Sequence, residues 1–155
     1  PFWLKHFAQP SDSATVRSQS NCKRLRTSTM SMKCIREHTG KALLHRWLSE
    51  FSGGTHNYPN PGVLVSPEVL DKTSGQTWDS ILDANPWLKE TKLVAKPDQV
   101  IKRRGKAGFL AINKTFDEAK DWIMERMCKE QQVESVMGQL THFLIEPMVP
   151  HQQEE

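Results

Sequence analysis

Residues 93–113 read LVAKPDQVIKRRGKAGFLAIN, and this stretch decides the fold. KLVAK at 92–96 has the apolar, partly β-branched character of a strand, and FLAIN at 109–113 has it again. Between them lies a loop, PDQVIKRRGKAG, in which Lys102, Arg103, Arg104 and Lys106 stand beside Gly105 and Gly108. Glycine lets backbone N–H groups approach an anion closely. Arginine grips phosphate oxygens as a fork, and lysine meets them as a point charge. Lys96 stands just before the loop, at the strand end. A polyphosphate is the natural guest for such a loop. A solvated basic turn between hairpin strands is the other reading of the same residues. The loop fits neither G-x-x-x-x-G-K-[ST] nor G-x-G-x-x-G, so it is neither a Walker loop nor a Rossmann turn.

Downstream, Thr115 with Glu118 three residues on makes a capping box. A helix is expected from there to about Lys129, with Phe116, Ala119, Ile123 and Met127 inward. QVESVMGQ reads as a connector, and THFLIEP at 141–147 as the last strand. Upstream, residues 35–51 carry helical periodicity. Leu44, Trp47, Leu48 and Phe51 form one apolar stripe, expected to face the core, and Thr39 is the expected N-cap. SGGTHNYPNPG reads as an exposed loop, VLV at 63–65 as a short strand, and DKTSGQ at 71–76 as a loop insertion. Thr77 caps a second helix with Trp78, Ile81 and Leu82 inward, and Asn85-Pro86 stops it. The order α-β-α-β-β-α-β predicts an α/β lobe, a small mixed sheet covered by helices.

The chain has 155 residues, with 21 basic and 18 acidic groups and a net charge of +3. That surplus, read alone, suggests an anionic partner. Its distribution says otherwise. Residues 1–32 hold five basic groups and one acid, while residues 33–155 hold sixteen and seventeen. Residues 1–31 are rich in Ser, Thr and Arg and lack hydrophobic periodicity, so they are expected to be a disordered or non-native leader. An organelle transit peptide is an alternative for that composition. Met30 and Met32 read as candidate starts of the coding region proper. No run reaches the length of a membrane helix. Cys22, Cys34 and Cys128 have no metal-ligand spacing and are expected to be reduced, small packed side chains.

Glu146-Pro147-Met148-Val149-Pro150 is the second feature of interest. Its prolines break the strand and leave main-chain N–H and C=O groups able to meet a flat heterocycle; an ordinary strand exit is the alternative. The histidines show no metal-site spacing, His142 reads as a packed or edge residue, and no Ser/His/Asp arrangement can be argued. No catalytic residue and no metal ligand is assigned.

Together, IREHTGKALLHRWL at 35–48, NPWL at 85–88, residues 93–113 and FLIEPMVPH at 143–151 resemble the amino-terminal part of the ATP-citrate lyase (ATP-citrate synthase) family. That family belongs to the ATP-grasp superfamily. RGKAG at 104–108 is more distantly similar to the loop of the succinyl-CoA synthetase β chain. The resemblance implies the first lobe of an ATP-grasp fold, residues 32–155, truncated before the second lobe. It implies a parent enzyme that cleaves citrate with ATP and CoA to acetyl-CoA and oxaloacetate, by way of a phosphorylated histidine and citryl phosphate. Carried over by position, Lys96 reaches the nucleotide, and Arg104 and Gly105 lie over its phosphates. Pro147 and Val149 meet the adenine, and Glu155 binds the ribose. Magnesium ligands and the citrate and CoA sites are expected beyond residue 155, so the segment alone is expected to be inactive. A cytoplasmic homo- or hetero-oligomer is implied, with no nucleic-acid or membrane partner. The rivals are a succinyl-CoA synthetase β-like ligase, a nucleic-acid module built on KRRGK, and a non-catalytic binding lobe whose apolar strand end FLIEPMVP seeks a partner.

Overall fold

The structure is a computed structural model describing residues 34–57, 62–71, 75–133 and 135–150. The expected leader, residues 72–74 of the insertion and Glu155 lie outside the described residues. A first helix, α1 (Glu37–Phe51), precedes strand β1 (Val63–Val65) and a 3-10 turn at Pro67–Leu70. Helix α2 (Trp78–Ala84) follows, then a single helical turn, α3 (Trp87–Glu90), that the sequence did not announce. Strands β2 (Leu93–Pro97) and β3 (Ala111–Lys114) flank the basic loop. Helix α4 (Phe116–Arg126) leads to β4 (Glu130–Val133), β5 (Val136–Gln139) and β6 (Phe143–Pro147).

The α/β architecture is as expected, but the sheet is antiparallel rather than mixed. Its order is β1-β6-β2-β3, and every strand pairing in it runs antiparallel. Hairpin connections and returning strands produce this, since parallel neighbours need a long crossover. Strand β6 is central, with Ile145 opposite Val63 on one side and Ala95 on the other. Between β2 and β3 the register slips, because Leu93 pairs Lys114 while Ala95 pairs Ala111. Asn113 absorbs the extra residue at φ 59°, a left-handed conformation that asparagine tolerates.

Alternation along the strands divides the sheet into two faces. Leu93, Ala95 and Pro97 pair across with Pro147, Ile145 and Phe143. On that face lies the core, which takes in Phe116, Ala119, Ile123 and Met127 from the α4 segment, all buried as anticipated. Each fully buried Leu, Ile or Phe side chain there contributes about 1.5–3 kcal/mol. The opposite face carries Val94, Lys96, Leu144 and Glu146, and α1 attaches to it through ion pairs.

Several expectations give way. The apolar stripe of α1 does not face the core: Leu44 is 52 % and Phe51 81 % exposed, and no residue of α1 is buried. Glu37 and Lys41, earlier turns of the same helix face, meet the sheet instead, and the apolar turns that follow them are left largely exposed. Thr39 lies inside α1 and does not cap it; Arg36 is the N-cap and supplies no side-chain bond. Helix α4 stops at Arg126, and the expected connector is a β4–β5 hairpin. Phe143, Leu144 and Ile145 are fully buried, so of the apolar stretch FLIEPMVP only the part past the strand, with Val149, is exposed. Cys34 is a free thiol but exposed rather than packed, and Cys128 packs half-buried against the core but is disulfide-bonded rather than reduced.

Candidate functional site

The four residues KPDQ at the exit of β2 organise the loop, each by a different bond. Pro97 ends the strand, and its carbonyl accepts from Arg104 Nη1 at 2.7 Å. Asp98 is 1 % exposed, and its N–H donates to the His142 carbonyl at 2.8 Å. The Asp98 carboxylate accepts a long bond, 3.4 Å, from the His38 N–H in the first turn of α1. An acid there suits the positive end of a helix that has no cap of its own. Gln99 reaches across the loop, accepting from the Thr141 N–H at 2.7 Å and donating to the Gln139 carbonyl at 3.1 Å. The loop between the strands is therefore anchored at its base, while Lys102, Arg103 and Lys106 in it are exposed. Arg103 sits at φ 54° within it, and Gly108 at φ 75° closes it.

Above the sheet face, five charged side chains interlock. Lys96 Nζ donates to Glu37 Oε1 at 2.6 Å and pairs with Glu146 Oε2 at 2.5 Å. Arg104 Nη2 donates to Glu37 Oε2 at 2.6 Å. Lys41 pairs with Glu37 at 2.9 Å and also donates to Glu146. The side chains of Lys96 and Glu146 are each 14 % exposed. Three cations against two carboxylates leave the group with one net positive charge. Partial burial pushes the Glu37 carboxyl up, but hydrogen bonds from Lys96, Arg104 and Lys41 outweigh it and hold the group at about 2. Burial lowers the Lys41 ammonium, and the bonds to Glu146 and Glu37 reverse this and raise it. Glu37 and Lys41 are therefore held charged near neutrality.

The expected site residues distribute as follows. Lys96 and Arg104 converge, both within 2.6 Å of one carboxylate. Gly105 is exposed next to Arg104, and its carbonyl accepts from the Gly108 N–H at 3.2 Å. Pro147 ends β6 opposite Leu93, the Met148 N–H donates to the Lys92 carbonyl at 2.7 Å, and Val149 is exposed beyond it. An open cleft of about 410 Å³ runs between the loop and the β4–β5 hairpin, lined by Gln99, Ile101, Lys102, Val133, Val136 and Leu140. It does not include Lys96 or Arg104, and hydrogen-bonding geometry marks the cluster as the better anion site. Sequence reasoning missed Glu37, Lys41, Asp98 and Glu146. The Glu37–Lys41 spacing of four was the available signal, since such pairs share one helix face. Among the described residues, no group of three His, Cys, Asp or Glu could hold a metal ion. No helix among them is long and apolar enough to cross a membrane.

An antiparallel sheet with a glycine-bearing basic loop over charged strand ends makes an α/β lobe suited to an anion, and comparison with known proteins gives its family. Residues 31–155 match the model of the ATP-citrate synthase ATP-grasp domain, and the chain belongs to that family. It is 44 % identical over 141 residues to the probable ATP-citrate synthase subunit 2 of Schizosaccharomyces pombe, covering 79 % of this chain and 29 % of that one. It is 40 % identical over 126 residues to the Homo sapiens ATP-citrate synthase, covering 81 % of this chain and 11 % of that one. It also resembles the ATP citrate lyase of Methanothrix soehngenii, solved in complex with citrate and coenzyme A. The TM-score is 0.62 at 36 % identity, over 76 % of this chain and 26 % of that one. The chain thus spans less than a third of the length of these relatives. Of the two ligase families weighed from sequence, the first is the one matched.

Proposed function

We propose that this lobe supplies one wall of the ATP site in an ATP-citrate synthase, which uses ATP and CoA to cleave citrate to acetyl-CoA and oxaloacetate. The observation that carries the reading is the convergence of Lys96 and Arg104 on one carboxylate, at the mouth of a loop with Gly105 exposed. Lys96 and Arg104 neutralise phosphate oxygens, and the Gly105 segment offers backbone N–H groups to them. At the end of β6 and just past it, Pro147 and Val149 face the adenine, and Glu155 takes the ribose. Charge neutralisation and positioning of a phosphoryl group are what such residues contribute to its transfer. The magnesium ligands and the CoA and citrate sites belong to the rest of a larger cytoplasmic, oligomeric enzyme. No residue described here forms or breaks a bond in the reaction. The test is Arg104→Ala in a full-length enzyme carrying this segment. Autophosphorylation should fall roughly a hundredfold, as when one transition-state donor is removed, with thermal stability nearly unchanged. An unchanged phosphorylation rate would remove Arg104 from the nucleotide site.

A further inference from the structure

The two cations assigned to phosphate are not held by the loop alone. Their nearest common partner is Glu37, on a helix that contributes nothing to the core. Both Glu37 oxygens are engaged, one by Lys96 and Lys41 and the other by Arg104. Two like charges this close repel each other, and a carboxylate between them cancels that repulsion. Glu37 is itself fixed, because Lys41 ties it to Glu146, which in turn holds Lys96 from the other side.

We propose that Glu37 is a positioning residue of the nucleotide site, its carboxylate presetting Lys96 and Arg104 side by side for the phosphates. The inference rests on the ATP-site reading above. Donor counting supports a brace over a carboxylate that merely occupies the phosphate position. An ammonium group has three N–H bonds, and two of those on Lys96 meet Glu37 and Glu146. A guanidinium has five, and two of those on Arg104 meet Glu37 and the Pro97 carbonyl. Each cation therefore has N–H groups beyond this network to offer a phosphate while Glu37 stays in place. The strongly depressed Glu37 carboxyl fits this role, as it remains an anion throughout the working pH range. Helix α1 becomes part of the site through one side chain, although it lines no part of the phosphate loop.

The experiment is steady-state kinetics on a full-length enzyme carrying this segment, with Glu37→Gln, Glu37→Asp, Arg104→Ala and the Glu37→Gln/Arg104→Ala double variant. Glu37→Gln keeps size and hydrogen bonding but loses the charge. Leaving two long side chains to be ordered by the ligand should raise the ATP KM roughly tenfold. The citrate KM and the melting temperature should stay near the wild-type values, a split that a merely structural role would not give. Glu37→Asp, which restores the anion one methylene shorter, should recover part of the ATP affinity, and it stands in for Glu37→Gln if that variant folds poorly. The double variant should be less impaired than the product of the singles, because Glu37 acts partly through Arg104. An unchanged ATP KM in Glu37→Gln, with Arg104→Ala impaired, overturns the positioning role and leaves the ATP site standing. A lowered ATP KM overturns it too, since Glu37 would then be competing with phosphate. Normal ATP kinetics in Arg104→Ala would instead overturn the ATP-site reading itself.

Discussion

Replacing Gly62 by alanine tests how closely the chain approaches the central strand. Gly62 is buried at φ +91°, outside the region where L-residues rest. A Cβ there would lie 2.8 Å from the Ile145 carbonyl oxygen, 2.8 Å from Glu146 Cγ and 3.1 Å from Leu144 Cδ1. The backbone strain costs about 1–3 kcal/mol. Ile145 is bonded into strands on both sides and cannot give way cheaply, so the overlap adds about 1–3 kcal/mol. The expected loss is about 2–6 kcal/mol, a large share of a small domain's stability. Urea unfolding followed by far-ultraviolet circular dichroism measures it. Gly54→Ala is the control, because Gly54 has φ +81° and nothing within 4 Å of an added Cβ. It carries the backbone strain without the overlap. If the two variants lose the same stability to within about 0.5 kcal/mol, the overlap costs nothing and the reasoning is wrong.

Two further predictions concern caps and protons. Thr115→Ala should destabilise the fold by about 1 kcal/mol by denaturant unfolding. In the same variant, NMR titration should show the Glu118 carboxyl rising only part of the way towards its ordinary value, since alanine removes the Thr115 hydroxyl but keeps the Thr115 N–H, the larger cause of its depression. His142 is half-buried, and burial, with Arg36 nearby, lowers its pKa below 6.5. The unfolded chain thus binds the proton more readily. The stability tied to His142 is complete above about pH 6.5 and is lost as pH falls from there through the lower folded value, and His142→Asn should flatten that slope in pH-dependent melting curves.

Local signals were reliable where a short-range bond decides the structure. Thr115 and Glu118 cap α4 reciprocally as their spacing indicates. Thr77 caps α2 too, its partner being Ser80 three residues on. Asn85-Pro86 ends α2 because proline cannot continue it, yet the same proline then opens the α3 turn, where its fixed φ is suited to a helix start. Strands β4 and β5 escaped notice because both faces of that hairpin are largely wet, so no apolar alternation marks it. The α1 stripe misled for the opposite reason. Periodicity reports that a helix has an apolar face, but which turns of that face meet the sheet was decided by Glu37 and Lys41, through partners 59 and 105 residues away. Lys96 and Arg104 were legible from the loop composition. Their common carboxylate was not, because it comes from another element. Gly62 sat in a stretch that read as an exposed loop, and only the register of β1 against β6 buries it.

The manner in which α1 is fastened shapes how it comes loose. Its bonds to the sheet are mostly charge pairs, and much of its own apolar stripe is already in water. Releasing it uncovers less apolar surface than unfolding the core, so the step carries a smaller heat-capacity change and a weaker urea dependence than global unfolding. Dissolved ions screen the partly exposed pairs that hold it. Amide exchange in this helix is therefore governed by ionic strength, while exchange in β6 is governed by global unfolding.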